Sequence, residues 1–147
     1  MEPSEAADRE AIRDLVARYT LAGDRGRYDD LVALFADDGV LELPDGRVCR
    51  GRQAIRSFLT ETAESLRAAT RVPWLRHHLT THDIRLGPPP TASGTVYFLV
   101  VTERGPDHWG RYRDDYVRSD GLWRFARRRV RLDGFAPGSW VASRRNP

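Results

Sequence analysis

Apolar residues recur at helical spacing between Asp8 and Ala22, where Ile12, Leu15, Val16, Tyr19 and Ala22 share one side of an amphipathic helix. Gly23-Asp24-Arg25-Gly26 interrupts that pattern, and glycine commonly terminates helices. A second short helix is expected from Tyr28 to Phe35, with Leu31, Leu34 and Phe35 on one side, followed by a turn at Ala36-Asp37-Asp38-Gly39. Val40 to Leu43 reads as a short strand. Pro44-Asp45-Gly46-Arg47 is the turn that leads to its partner at Val48. Gly51 to Leu66 is the third predicted helix, with Ile55, Phe58, Leu59 and Thr62 on its inner face and Pro73 ending the loop after it.

Beyond that loop the period shortens to that of strands. His78 to Leu86 alternates in part, Pro88-Pro89-Pro90 is a break, and Gly94 to Glu103 is the most β-prone run. Trp109 to Arg118 and Leu122 to Leu132 form a hairpin around Ser119-Asp120-Gly121. Gly134 to Pro147 is a tail with Phe135 and Trp140 as anchors. Helices first and hairpin-linked strands after them specify an α+β fold. The expected form is a curved, mostly antiparallel sheet shaped as a cone, with three N-terminal helices on its concave face. The mouth of such a cone suits a small ligand.

The 147 residues fit a single domain, with a core at about 9–132 and a tail at 133–147. All 24 basic residues are arginine, which excludes lysine Schiff-base chemistry. The net charge is +3 and the arginines are interleaved with acids, as in Arg113-Asp114, so no nucleic-acid stripe is expected. The run Arg127-Arg128-Arg129-Val130-Arg131 would alternate between two faces of a strand. No run is long and apolar enough for a membrane span, and Met1 to Glu10 is too polar for a secretory leader, so a cytoplasmic location is expected. Cys49, the only cysteine, permits no internal disulfide and reads as a small buried hydrophobe.

Three constellations could carry chemistry. Tyr19 and Asp24 are five residues apart across a helix end, and a buried phenol can donate to a developing oxyanion. The plainer reading is a core tyrosine and a helix-end aspartate. Arg76-His77-His78-Leu79-Thr80-Thr81-His82 places three of the four histidines within six residues. Imidazole is the natural proton carrier near neutral pH. Regular alternation puts His78 and His82 on one face and His77 on the other. With no placed acid partner the cluster does not make a metal set, so neither metal nor cofactor is expected. In the closing hairpin Tyr112, Asp114 and Tyr116 share one face, while Arg113, Asp115 and Val117 share the other. A desolvated carboxylate there could act as acid or base. The alternative is a cross-strand pair with an arginine of the Arg127–Arg131 strand.

Taken together, Arg18-Tyr19, Asp24, Leu34-Phe35-Ala36-Asp37-Asp38, Gly51-Arg52-Gln53-Ala54-Ile55, Gly110-Arg111-Tyr112-Arg113-Asp114 and Asp120-Gly121-Leu122-Trp123-Arg124-Phe125 resemble the SnoaL-like proteins of the nuclear transport factor 2-like superfamily. The resemblance spans about Arg9 to Arg131. It implies functional roles for Tyr19 and Asp24, as in a bile-acid dehydratase. It puts weight on His77, or on His78 if matched to scytalone dehydratase. It matches Tyr112 with Asp114, or Asp115 if matched to ketosteroid isomerase, and it gives Arg131 a substrate role. Leu43 stands where ketosteroid isomerase carries its general base, which argues against steroid isomerisation.

Two functions follow from this. One is a cofactor-independent lyase, isomerase or cyclase acting on a small apolar carbonyl compound, polyketide- or terpenoid-like. The other is a non-catalytic ligand-binding or protein-interaction module. The enzyme reading requires Tyr19, Asp24, one of His77 and His78, and one of Asp114 and Asp115 to line a single pocket roofed by Trp74, Phe58 and Leu34. Tyr112 and Arg131 would contact the substrate. A homodimer through the outer sheet face is expected, because alternate members of Val96 to Val101 would otherwise expose an apolar strand.

Overall fold

A computed structural model describes residues 2–69 and 74–142, apart from the side chain at 69. Pro73 and the last residues of the tail, 143–147, lie outside the described residues. The order is α1 (Pro3–Asp24), α2 (Tyr28–Val32), β1 (Phe35–Glu42), β2 (Val48–Arg50), α3 (Arg52–Ala69), β3 (Leu75–Leu86), β4 (Thr91–Thr102), β5 (Gly105–Ser119) and β6 (Leu122–Phe135). The six strands form one sheet in the order β2-β1-β6-β5-β4-β3. All neighbours are antiparallel except β1 with β6, which run parallel. The sheet is therefore mixed and open, with antiparallel pairing dominant.

The apolar stripe of α1 packs across the sheet. Ile12, Leu15, Val16 and Ala22 are buried, and the helix touches both β6 and the edge strand β3. Those strands are three inter-strand steps apart, about 14 Å at about 4.8 Å per step. A helix of 22 residues, about 33 Å long, spans that distance across the inner face of the sheet. On α3, Ile55 is fully buried while Phe58 and Leu59 pack against the core from its edge. The hairpin between β5 and β6 turns at Asp120-Gly121, both with positive φ (52° and 74°), as a two-residue turn requires.

One predicted stretch differs. The second helix stops at Val32, and Ala36-Asp37-Asp38-Gly39 lies inside β1 instead of forming a separate turn. The strand bulges there, because its pairing with β6 jumps from Phe35↔Phe125 to Val40↔Arg127. A Cβ on Gly39 would lie 2.9 Å from the Ala36 carbonyl oxygen, so only glycine fits. Arg52, at the start of α3, fixes this excursion: its Nε and Nη2 donate to the Phe35 carbonyl at 3.0 and 2.6 Å, and its Nη1 pairs with Asp37 at 2.7 Å.

Among the described residues no helix is long and apolar enough to cross a membrane.

Candidate active site

Strand β3 carries a bulge in its middle. Leu79 pairs with Phe98 and His82 with Val96, so Thr80 and Thr81 together face one residue of β4. An extra residue reverses the alternation beyond it. His77 and His82 therefore both face the concave side, and His78 is exposed on the outer face. This corrects the regular alternation, which grouped His78 with His82.

His77 meets the last residue of α1. Its Nδ1 lies 2.6 Å from Asp24 Oδ1, and its backbone N–H donates to Asp24 Oδ2 at 3.0 Å. The Asp24 carboxylate is 5% exposed and the imidazole 30%. With Nδ1–H committed to Asp24, Nε2 is the outer ring nitrogen, and a neutral ring presents its lone pair there. The imidazole thus combines a fixed tautomer, a fixed orientation and a route to solvent. Phe98 lies 6.4 Å from it, ring to ring. Phe98 in turn stacks on Tyr112 at 4.6 Å.

Deeper in the cone, Tyr112, Asp114 and Tyr116 share the inner face and are all buried. Opposite them stands Arg128, which is fully buried. A second bulge, at Ala126, decides this: Tyr116 pairs with Phe125 but Asp115 with Arg127. Arg128 consequently turns inward, and Arg127, Arg129 and Arg131 turn outward. Arg128 Nε and Nη2 donate to the two oxygens of Asp114 at 2.9 and 2.7 Å. Tyr116 O–H donates to Asp114 at 2.9 Å, and His82 Nε2 lies 3.3 Å from the Tyr116 hydroxyl. Burial by itself would push the Arg128 pKa down; the Asp114 carboxylate more than offsets it and raises the value, so the guanidinium stays charged.

The Arg128 guanidinium sits 4.2 Å from the Tyr19 ring, 4.0 Å from Tyr112 and 4.3 Å from Phe125. Because Asp114 takes Nε and Nη2, Nη1 is the outlying donor, and among the described residues it is buried without a hydrogen-bond partner. Burial raises the Tyr19 pKa, with the Arg128 charge opposing. Burial also raises that of Tyr112, whose hydroxyl feels Tyr19, Arg128, Asp114 and Asp24 together. Both phenols stay protonated and can donate at neutral pH. Tyr112 links the two clusters.

The structure thus brings Tyr19, Asp24, His77, Tyr112 and Asp114 onto one concave surface. It does not bring others there. His78 faces outward. Asp115 pairs with Arg129 at 2.5 Å. Arg131 is exposed on the outer face, with its Nη2 3.9 Å from Glu42. Trp74 is exposed beside the Arg76 guanidinium. Leu34 belongs to the buried core, and Phe58 lies under Arg47 at the core's edge, so these three do not form one roof. Of the cavities described, one of about 420 Å³ lies on the outer sheet face, lined by Thr95, Tyr97, Trp109, Arg111, Arg113 and Asp133 among others. Another, of about 30 Å³, lies near Asp107 and Trp140. Neither is lined by Tyr19, Asp24, His77 or Arg128. The rings of Tyr19, Phe98, Tyr112 and Phe125 pack against one another where the open pocket was expected.

Sequence reasoning offered an arginine of the Arg127–Arg131 strand as a partner of Asp114 without singling out Arg128, and it missed the inward turn of His82. The only available signal for Arg128 was the arginine run on a strand opposite Asp114.

Comparison with known proteins bears on this arrangement. The model of a SnoaL-like domain matches residues 4–129. A Mycobacterium tuberculosis protein of unknown function, Rv3472, is 30% identical, with 92% of this chain and 79% of that chain covered and a TM-score of 0.75. A scytalone dehydratase candidate from Novosphingobium aromaticivorans is 23% identical over 92% of this chain and 91% of that one, at a TM-score of 0.78. ActVI-ORFA from Streptomyces coelicolor is 19% identical over 90% and 99%, at 0.77. The last two show likeness of fold alone. No curated protein sequence matches the chain.

Proposed function

The chain belongs to the SnoaL-like domain family, and on that premise we propose that it is a cofactor-independent lyase, isomerase or cyclase acting on a small apolar carbonyl compound of the polyketide or terpenoid kind. The observation that carries this reading is the Asp24–His77 pair, in which a buried carboxylate fixes the tautomer of a solvent-reaching imidazole. His77 Nε2 takes a proton from the carbon beside the carbonyl. The C–H electrons form the new C=C bond, and the carbonyl oxygen becomes an enolate. Arg128 Nη1–H and the Tyr19 and Tyr112 hydroxyls are the donors for that oxygen in a low-dielectric setting, where such bonds count most. Asp114 balances the guanidinium beforehand, so the ground state holds no excess charge. The imidazolium then returns its proton to another carbon, or to a departing hydroxyl that leaves as water. The likeness in fold to a scytalone dehydratase candidate agrees with the second outcome.

The test is deuterium incorporation at the α-carbons of β-tetralone in heavy water, followed by NMR. The protein should accelerate exchange, and His77→Asn should remove the acceleration. Asparagine keeps a donor toward Asp24 and lacks the Nε2 lone pair. Equal exchange in the two proteins would leave a binding module as the better account.

The outer sheet face supports a second copy as partner. Tyr97 and Trp109 are exposed there, and the groove beside them carries both Arg113 and Asp133. Opposite charges on one patch suit a two-fold contact, in which each patch meets its own copy. Light scattering should give a dimer mass, and a monomer at high micromolar concentration would count against it.

A further inference from the structure

A second histidine–aspartate pair lies on β5, and proton transfer at His77 makes no use of it. Strand β5 bulges at its start, because Val101 pairs with Pro106 and Val100 with His108. Asp107 is the extra residue. Neighbours on a regular strand point to opposite faces; the bulge lets Asp107 reach the ring of the residue beside it. His108 Nδ1 lies 2.7 Å from Asp107 Oδ2, and both residues are buried. The same oxygen accepts the Ser139 hydroxyl at 2.6 Å, while the Asp107 carbonyl accepts the Ala136 N–H at 2.7 Å. The segment after β6 therefore clamps the aspartate. Trp140 meets the imidazole edge-on at 5.6 Å and Phe98 meets it at 6.1 Å.

This ring is held on several sides, and its Nδ1–H is committed to Asp107. Nε2 can then only accept. Burial lowers the imidazole pKa, against the opposing pull of Asp107, so the ring is neutral at physiological pH. A neutral, buried imidazole is a poor partner for an anion and a weak base. It is a good partner for an O–H donor.

Its position relative to His77 gives that property a use. His77, Val100 and His108 form one cross-strand row on the concave face. The two histidines are two strand spacings apart, about 9–10 Å along the row, and Phe98 touches both rings. A cavity of about 30 Å³, lined by Leu75, Thr102, Asp107 and Trp140 among others and not by His108 itself, lies at the same end.

We propose that His108 is a specificity-determining residue whose Nε2 accepts a hydrogen bond from a substrate hydroxyl, so that the site takes hydroxyl-bearing apolar carbonyl compounds. The inference rests on the concave face being the substrate site, as proposed above. A site built around a hydrogen-bond acceptor discriminates strongly against analogues that lack the hydroxyl.

The experiment uses two unreactive probes, naphthol and naphthalene, titrated into the full chain by NMR with nitrogen-labelled histidine. Naphthol should bind about five- to tenfold more tightly, the worth of one hydrogen bond, and should move the His108 Nε2 resonance. His108→Asn keeps a donor toward Asp107 and removes the Nε2 acceptor, so it should erase the preference. Equal affinities in the wild type, a preference that persists in His108→Asn, an unmoved Nε2 signal or no naphthol binding at all would each overturn the proposal. Failure of the ketone exchange test with an intact naphthol preference would remove the catalytic reading and leave this one standing.

Discussion

The Asp114–Arg128 and Asp24–His77 pairs are each a carboxylate and a basic side chain on the concave face of the same sheet. Both side chains of the first are 0% exposed, and three donors converge on its aspartate. The second keeps its imidazole 30% exposed and one nitrogen uncommitted. A fully sealed pair of opposite charges has little freedom to change protonation state and instead fixes geometry. An imidazole with a free lone pair and an approach to water can accept and release a proton. Burial and access to solvent, more than residue type, separate the pair that positions from the pair that reacts.

The sharpest way to break this comparison is to disable each pair and measure both activity and stability. His77→Asn should slow ketone exchange by about 10²–10⁴-fold, the usual contribution of a general base, and shift the thermal midpoint little. A large loss of stability with unchanged exchange would reverse the roles assigned here. Asp114→Leu should act first on stability: it strands a buried guanidinium, at a cost of about 3–5 kcal/mol. For a chain of this size that is roughly a 10–16 °C fall in midpoint by calorimetry. Combining it with Arg128→Met should recover much of the loss, and a single-variant cost below about 1 kcal/mol would show that the pair is not the anchor.

A smaller effect is expected at the boundary between the two pairs. Tyr19→Phe keeps the edge-to-face contacts with Phe35 and Phe125 at 6.1 and 5.4 Å. It removes only the hydroxyl, so exchange should fall about tenfold with the midpoint nearly unchanged. An unaltered rate would take Tyr19 out of the donor set.

The smallest effect concerns pH. Burial lowers the pKa values of His82 and His108 below the usual histidine value of 6.5. The unfolded chain therefore binds more protons than the folded one below about pH 7. Stability should be fully present above 6.5, decline as pH falls through that value, and continue to decline until the lowered folded values are passed. Urea titrations at two pH values on either side of 6.5 would show this, and His82→Gln should flatten the slope. A rise in stability on acidification would contradict the assignment of both rings as neutral.

Much of this was legible in the chain. The inner faces of α1 and α3 follow from helical spacing. The β5–β6 turn follows from Asp120-Gly121, and the common face of Tyr112, Asp114 and Tyr116 follows from a regular two-residue period. The cross-strand partner of Asp114 was anticipated as some arginine of the Arg127–Arg131 strand. What failed to read through was the facing of individual polar residues. His77 faces in with His82 because Thr80 and Thr81 share one partner. Arg128 faces in because Ala126 is the extra residue on β6. Asp107 reaches His108 because β5 bulges there.

The sequence by itself determined the α+β order, the buried helix stripes and the set of polar residue types available for chemistry, because periodicity and turn preference act over a few neighbouring residues. The tertiary structure alone decided which histidine meets Asp24, which arginine meets Asp114 and which groups stay outside. The facing of His77 together with His82 and the inward turn of Arg128 hang on bulges, and a bulge is placed by pairing between strands distant in the chain. One extra residue in a strand of period two exchanges the inner and outer faces beyond it.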